Sequence, residues 1–303
     1  MAESTNSLVA FSDQAAQLVE RTGSSVVAVH GGGRGSSSGI HWRSGVIVTA
    51  EEVLELDGDI KITLPGGRVV EASLAGRDPS TDVAVLRFQP DGLPAASTAD
   101  AASLRSGHVV LAVGNHEGGP VASLGIVATV GGPWHSLRGG TIDNLIRVDL
   151  VLSPATEGGA LIDAQGRVVG MAVLGPRRRV LAIPTSTIDR VVDQLLAKGH
   201  VFRGYLGAGL QPLRRGRPSP DTHPAGGGRG VLVVSIDPDG PAARAGLLVG
   251  DIVMTWNTKP IDRVRDVMHL LGAESVGASV DLQLIRGGAP MALKVVLGER
   301  PVA

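Results

Sequence analysis

Read from its N-terminus, the chain changes period several times. Ser12 to Thr22 places Ala15, Leu18 and Val19 at helical spacing, which predicts a short amphipathic helix. From Ser24 to Leu174 this gives way to short apolar runs: Ser25–Val29, Gly45–Val48, Ile60–Leu64, Asp82–Leu86 and Val109–Val113. Gly, Asp or Pro separates them, the punctuation of strands in a sandwich or barrel. Leu64-Pro65-Gly66-Gly67-Arg68, between two such runs, predicts a hairpin. Thr185 to Lys198 is helical again, with Ile188, Val191, Val192, Leu195 and Leu196 recurring on one face and Gly199 closing it. A second β-rich module follows Arg203. The stretch Arg214 to Gly230 interrupts it, too rich in Pro, Gly and Arg to pack, and reads as a mobile loop. Asp262 to Gly272 predicts that module's helix, with Val264, Val267, Met268 and Leu271 apolar.

The outline is an N-terminal helical segment (1–23), a large β domain (24–184), a helix and linker (185–203) and a smaller mixed module (204–303). Composition supports globular cores, with 43% hydrophobic and 19% charged residues among 303. There are only three Trp, three Phe and one Tyr, so Val, Leu, Ile and Ala must build those cores. A net charge of -1 offers no global field for nucleic acid or an anionic membrane. The basic clusters Arg177-Arg178-Arg179 and Leu213–Arg217 sit among Gly and Pro and read as solvated loops. The absence of Cys excludes disulfides, thiol catalysis and Cys-based zinc sites. No apolar run approaches the ~18 residues that span a bilayer. The first residues lack the basic start and apolar core of a secretory signal. Two compartments stay open: cytoplasmic, or periplasmic or otherwise exported after removal of a leader.

Candidate chemistry lies in three segments. Gly45-Val46-Ile47-Val48-Thr49 ends a strand ahead of Ala50-Glu51-Glu52-Val53-Leu54; Gly76 to Leu86 contains Asp82; Asp149 to Leu161 ends in Glu157-Gly158-Gly159-Ala160-Leu161. In this order they resemble the HtrA/DegP family of trypsin-fold serine proteases carrying a PDZ domain. Ala112-Val113-Gly114-Asn115, Ser123–Val127 and Ala182–Thr185 match at similar spacings, so the resemblance runs from about Ser24 to Leu297. It implies a mainly β fold: two six-stranded antiparallel barrels of the chymotrypsin type, then an α+β PDZ domain.

The resemblance also marks departures. The family's catalytic Asp falls on Asp82, but its His and Ser positions hold Glu52 and Glu157. A serine route needs a hydroxyl and a base titrating near working pH, so hydrolysis by that route is expected to fail here. The oxyanion loop becomes Ala155-Thr156-Glu157, with Ala155 where the family has Gly. The Glu157 carboxylate is expected to fold into that hole and accept its N–H groups. Three carboxylates brought within ~4–6 Å would share a proton or hold a hard cation such as calcium, magnesium or manganese. No metal or other cofactor is expected from the family; Glu52, Asp82 and Glu157 are the candidates if a divalent cation binds. His116, in a loop the family places beside the cleft, and His41, read as facing out of the barrel, are the histidines nearest this chemistry.

Arg203-Gly204-Tyr205-Leu206-Gly207-Ala208 resembles the carboxylate-binding loop of an HtrA-type PDZ domain. The implied donors are the N–H groups of Leu206, Gly207 and Ala208, with the peptide added as a strand beside Gly207–Leu210. Leu206, Val267, Met268 and Leu271 would line the pocket for its last side chain. The implied partners are peptides, protein C-termini or unfolded proteins, and the implied assembly a homotrimer. Function then reads as a catalytically inactive HtrA-like homologue that binds peptides through its PDZ domain. The alternative is a hydrolase or metal-binding protein using Glu52, Asp82 and Glu157.

Overall fold

The structure is a computed structural model describing residues 6–31, 35–55, 59–90, 92–136, 138–213 and 230–301. The basic stretch 214–229 lies outside the described residues. Two compact units are present: residues 6–136 with 141–201, and residues 138–140 with 202–301.

The first unit opens with α1 (Ser7–Gly23), capped by the Asn6 side chain on the Leu8 N–H at 3.0 Å. It starts five residues before the apolar spacing predicts. That first stretch carries Leu8, Val9 and Phe11 exposed, so no buried face announces it. Strands β1 (Val26–His30), β2 (Ser37–Arg43), β3 (Val46–Thr49), β4 (Ile60–Thr63), β5 (Val69–Asp78) and β6 (Val83–Arg87) close into a barrel of order β1-β2-β3-β6-β5-β4. Next come β7 (Val109–His116), β8 (Gly119–Gly131) and a small hairpin, β9 (Trp134–His135) with β10 (Thr141–Ile142). With β11 (Leu145–Asp149), β12 (Ala160–Ile162), β13 (Val168–Gly175) and β14 (Arg179–Pro184), the second barrel closes as β11-β14-β13-β12-β7-β8. The fold class is therefore mainly β with two six-stranded barrels.

The apolar runs are continuous because these strands are buried on both faces. Val27, Val29, Ile47, Ile62 and Leu86 fill the first barrel, while Val26, Ile40, Trp42, Val48 and Val85 turn outward into a second core. That core also takes Val113, Ala160 and Met171 from the second barrel and Ile188, Val191, Val192 and Leu195 from α2 (Thr185–Lys198). The second barrel's own interior holds Ala112, Val127, Ile146, Leu161, Val169 and Ala182. Each fully buried Val, Leu or Ile contributes roughly 1.5–3 kcal/mol, so the shared core is a main source of this unit's stability. His41 corrects its reading: it is 1% exposed, donates from Nδ1 to the Pro94 carbonyl at 2.9 Å, and stands edge-on to Phe88 inside the first barrel. Alternation puts it opposite Ile40 and Trp42, which in a closed barrel means inward.

The second unit pairs β15 (Gly204–Tyr205) with β22 (Gly298–Glu299) and builds a sheet of order β16-β17-β18-β20-β21. These strands are β16 (Ala208–Pro212), β17 (Val231–Ile236), β18 (Ile252–Trp256), β20 (Ser279–Arg286) and β21 (Ala289–Val296), with β19 (Lys259–Pro260) on β18. Two helices accompany it, α3 (Pro241–Ala245) and α4 (Val264–Leu270). α4 is shorter than the predicted 262–272, because the Asp266 carboxylate turns back to accept the N–H groups of Asp262 and Arg263. Those two residues are thereby held outside the helix as its cap. Among the described residues no helix is long and apolar enough to cross a membrane.

Candidate functional site

Asp82 is delivered by a turn fixed from within. The buried Asp78 carboxylate accepts the Ser80 N–H at 3.1 Å, the Ser80 hydroxyl, and the Thr81 hydroxyl at 2.7 Å. This leaves Asp82 in the left-handed region, at φ +59°, where Asp is one of the few side chains tolerated. Opposite it stands the 3-10 turn Glu51–Val53. The Glu52 N–H donates to Asp82 Oδ1 at 3.1 Å, and the Glu51 N–H reaches the Asp82 carbonyl at 3.4 Å. Glu51 is buried and anchors this turn: Arg77 Nε donates to its Oε1 at 2.7 Å while the same guanidinium reaches the Glu51 and Leu54 carbonyls at 3.3 and 3.2 Å. The Glu52 side chain is exposed.

The Glu157 loop is held as firmly. Ser38, fully buried, donates from Oγ to the Ala155 carbonyl at 2.7 Å and accepts the Asn115 N–H at 2.8 Å. Its own N–H donates to the Glu157 carbonyl at 2.8 Å, and its carbonyl accepts from the Thr49 hydroxyl at 2.7 Å. Two glycines follow because nothing larger fits. A Cβ on Gly158 would strike the Ser38 carbonyl, and one on Gly159 the Val113 carbonyl. Pro154–Thr156 forms a 3-10 turn whose Thr156 is buried and bonded back to Ser153.

The expected carboxylate-in-hole arrangement is not what forms. The Glu157 N–H donates to the Ser153 carbonyl at 3.0 Å, so one of the donors expected for that hole is already spent within the turn. The Glu157 carboxylate instead accepts the Leu174 N–H at 3.3 Å. β12 begins at Ala160, opposite Met171, and Gly158 and Gly159 carry the bonding on to Ala172, so β13 beyond Ala172 has an edge that β12 does not cover. Glu157 closes that edge with its own side chain.

Burial is the main force on the two carboxyls. It raises Asp82 to about 7, the Glu52 charge adding to the shift and the N–H bond from Glu52 opposing it. Glu157 is also raised, chiefly by burial and further by the Glu52 charge; the Leu174 N–H and the Arg178 charge oppose it. Asp82 and Glu157 thus each feel the Glu52 charge, yet among the described residues no group of three His, Cys, Asp or Glu is arranged to hold a metal ion. His116 is exposed, its Nε2 4.0 Å from Glu117 Oε1. Sequence reasoning missed Leu174, Ser153, Glu51 and Arg77, which act through backbone or neighbouring groups. It read Arg178 as a solvated loop residue only; Arg178 is exposed, but its charge reaches Glu157.

In the second unit β16 is an edge strand, paired only with β17 among the described residues. The loop before it is locked on its inner side: Ala242 N–H donates to the Leu206 carbonyl at 2.8 Å and Asp237 N–H to the Gly207 carbonyl at 2.9 Å. Tyr205 Oη donates to Asp237 Oδ2 at 3.0 Å. Gly207 stands at φ +73°, and Gly240 and Pro241 lie closer than ordinary van der Waals contact to where a Cβ would be. Leu206 and Val267 belong to one apolar cluster with Leu271, Leu270 and Val264 packed on it; Ala208 also packs there, while Met268 is half-buried and outside it.

Residues 37–171 match the trypsin-like peptidase domain and residues 204–297 the PDZ domain. A probable periplasmic serine endoprotease, DegP-like, of Pseudomonas fulva is 33% identical over 272 residues, covering 86% of this chain and 54% of its own length. The chain therefore spans about half the length of the curated relatives it matches. Among solved structures, the HtrA-type protease AlgW with a tripeptide is 30% identical with a TM-score of 0.69, covering 95% of this chain and 98% of that one. AlgW with a decapeptide is 25% identical with a TM-score of 0.73, covering 95% and 99%.

Proposed function

The chain belongs to the HtrA family of trypsin-like proteases carrying a PDZ domain, and we propose that it is a member without serine-protease chemistry that binds peptides or protein C-termini through its PDZ unit. The observation that carries this reading is Glu157. At the nucleophile's position it offers no hydroxyl, its N–H is spent on Ser153, and its carboxylate takes the Leu174 N–H on the open edge of β13. Glu52, at the base's position, cannot take up a hydroxyl proton as an imidazole does.

Peptide capture is supported by the edge strand β16, the Gly207 turn and the apolar cluster around Leu206 and Val267. It is supported also by the AlgW structures, which carry a tripeptide and a decapeptide. The relatives' description as periplasmic supports an exported compartment for this chain as well. A scaffold, chaperone-like or regulatory role follows from binding without cleavage.

A second reading has one observation behind it. Asp82, raised to about 7, is a carboxyl that can exchange a proton near neutrality, as acid/base chemistry by Glu52, Asp82 and Glu157 would need. One experiment separates the two. The full chain is incubated with an unfolded protein substrate, with chelator and with added divalent cations, beside Glu52→Ala/Glu157→Ala. Absence of cleavage throughout, with saturable binding of a peptide bearing a free C-terminus, is the expected result. Cleavage abolished in the double variant would overturn it.

A further inference from the structure

A cavity of about 300 Å³ in the first unit lies away from the residues assigned above. Its walls are the last turn of α1 (Arg21, Thr22), the connection to β1 (Ser24, Ser25), Ala95 and Ser97, and the turn between β12 and β13 (Gln165 to Val168). Three features set its chemistry. Thr22 is 5% exposed, and its Oγ1 has no hydrogen-bond partner among the described residues, a state that costs about 1–3 kcal/mol unless something fills it. The Arg21 guanidinium lines the cavity without an ion pair or hydrogen bond among the described residues. Arg167 is the second guanidinium; it engages Asp163 through Nε at 2.9 Å and Nη2 at 2.7 Å, and no carboxylate is among the lining residues.

The end of a helix ordinarily repels anions, but here its carbonyls are already occupied. Ser24 Oγ donates to the Arg21 carbonyl at 2.6 Å, and Ser25 Oγ and N–H donate to the Thr22 carbonyl, each at 2.9 Å. The hydroxyls of the two serines thus quench the helix terminus and leave the exposed guanidiniums and the buried Thr22 hydroxyl as the cavity's donors.

We infer that this cavity is a binding site for the oxyanion group of a small molecule, a phosphate or a carboxylate, held by Arg21 and Thr22. The ligand would tie the end of α1 to the β12–β13 turn, since both supply its walls. The test uses the full chain and inorganic phosphate, with acetate as the carboxylate arm and potassium chloride at matched ionic strength. Hydrogen exchange of the α1 amides and the thermal midpoint are followed against concentration. Saturable protection of α1 by phosphate or acetate, absent with chloride, is expected; which anion protects identifies the class. Arg21→Gln should raise the half-saturating concentration about tenfold or more. Thr22→Val, which keeps shape and removes the hydroxyl, should raise it several-fold, and Arg105→Gln, in the connection before β7 and outside the cavity lining, should not move it. Equal responses to all three salts, or an unchanged midpoint concentration in Arg21→Gln and Thr22→Val, would overturn the site.

Discussion

Replacing Asp82 by Asn tests the electrostatics of the site around Asp82 and Glu52 directly. An aspartate titrates near 3.8 in the unfolded chain and here is raised to about 7. Between those values the folded state holds a proton that the unfolded chain has released. Stability from this group is therefore full below 3.8, falls as pH rises, and is level above about 7. This is the reverse of an ordinary ion-paired carboxylate, whose contribution grows with pH. Between about pH 5 and about pH 8.5 the loss comes to about 2.7 kcal/mol for a fully shielded group, and about half that for one partly screened by water. Asn tolerates φ +59°, and its Oδ1 still accepts the Glu52 N–H, so the variant removes charge with little else.

Urea unfolding of the full chain, in a Trp256→Phe background, leaves Trp42 and Trp134 as the reporters, both in the barrel unit. The stability of Asp82→Asn relative to its parent should grow by about 1–3 kcal/mol from about pH 5 to about pH 8.5. Parallel stability curves would refute the reasoning, because every other group titrates alike in both proteins. A narrowing gap would mean that Asp82 gains more from its N–H donors than it loses to burial.

Three further outcomes follow from the packing. Glu51→Ala leaves Arg77 without its buried partner and should cost about 3–5 kcal/mol in the same unfolding assay, with Arg77→Leu added to it recovering much of the loss. Leu195→Ala removes a side chain 1% exposed in the shared core and should cost about 2–5 kcal/mol, read as a lower urea midpoint of the barrel transition. Gly207→Val puts a β-branched side chain at φ +73° against Gly240 and Pro241; calorimetric titration with a C-terminal peptide should show binding lost, while Tyr205→Phe, lacking only the bond to Asp237, should weaken it by about tenfold or less.

Some of this was legible in the residues and some was not. Short apolar runs announced strands, but Val26 and Val27 are both buried, one against the shared core and one inside the first barrel. With both faces covered the alternation vanishes, so the runs gave an all-β domain and the resemblance supplied the two barrels. The same loss of alternation hid His41, which lies inside. Gly158-Gly159 was legible as a motif, and its reason is the pair of carbonyls, Ser38 and Val113, that admit no side chain. The bond from the Glu157 N–H to Ser153 depends on how Pro154–Thr156 winds, and the carboxylate's partner depends on where β12 begins. Neither is written in a residue type. α1 was underread because its first turns bury nothing, and the Asn6 cap that starts it resembles any other polar residue.

The choice of glutamate, rather than a smaller residue, matters physically. An alanine at 157 would equally offer no hydroxyl but would leave the Leu174 N–H without its acceptor on that strand edge. Such an edge pairs readily with an extended chain. Glutamate is long enough to return along β13 and accept that N–H, so the side chain that offers no hydroxyl also closes the edge. Its raised carboxyl weakens the seal only on protonation, which burial and the Glu52 charge favour and Arg178 opposes. β16 in the other unit has no such intramolecular cap on its outer side among the described residues. Of these two edges β16 is the one without such a cap among the described residues, and the proposed peptide binding is expected there.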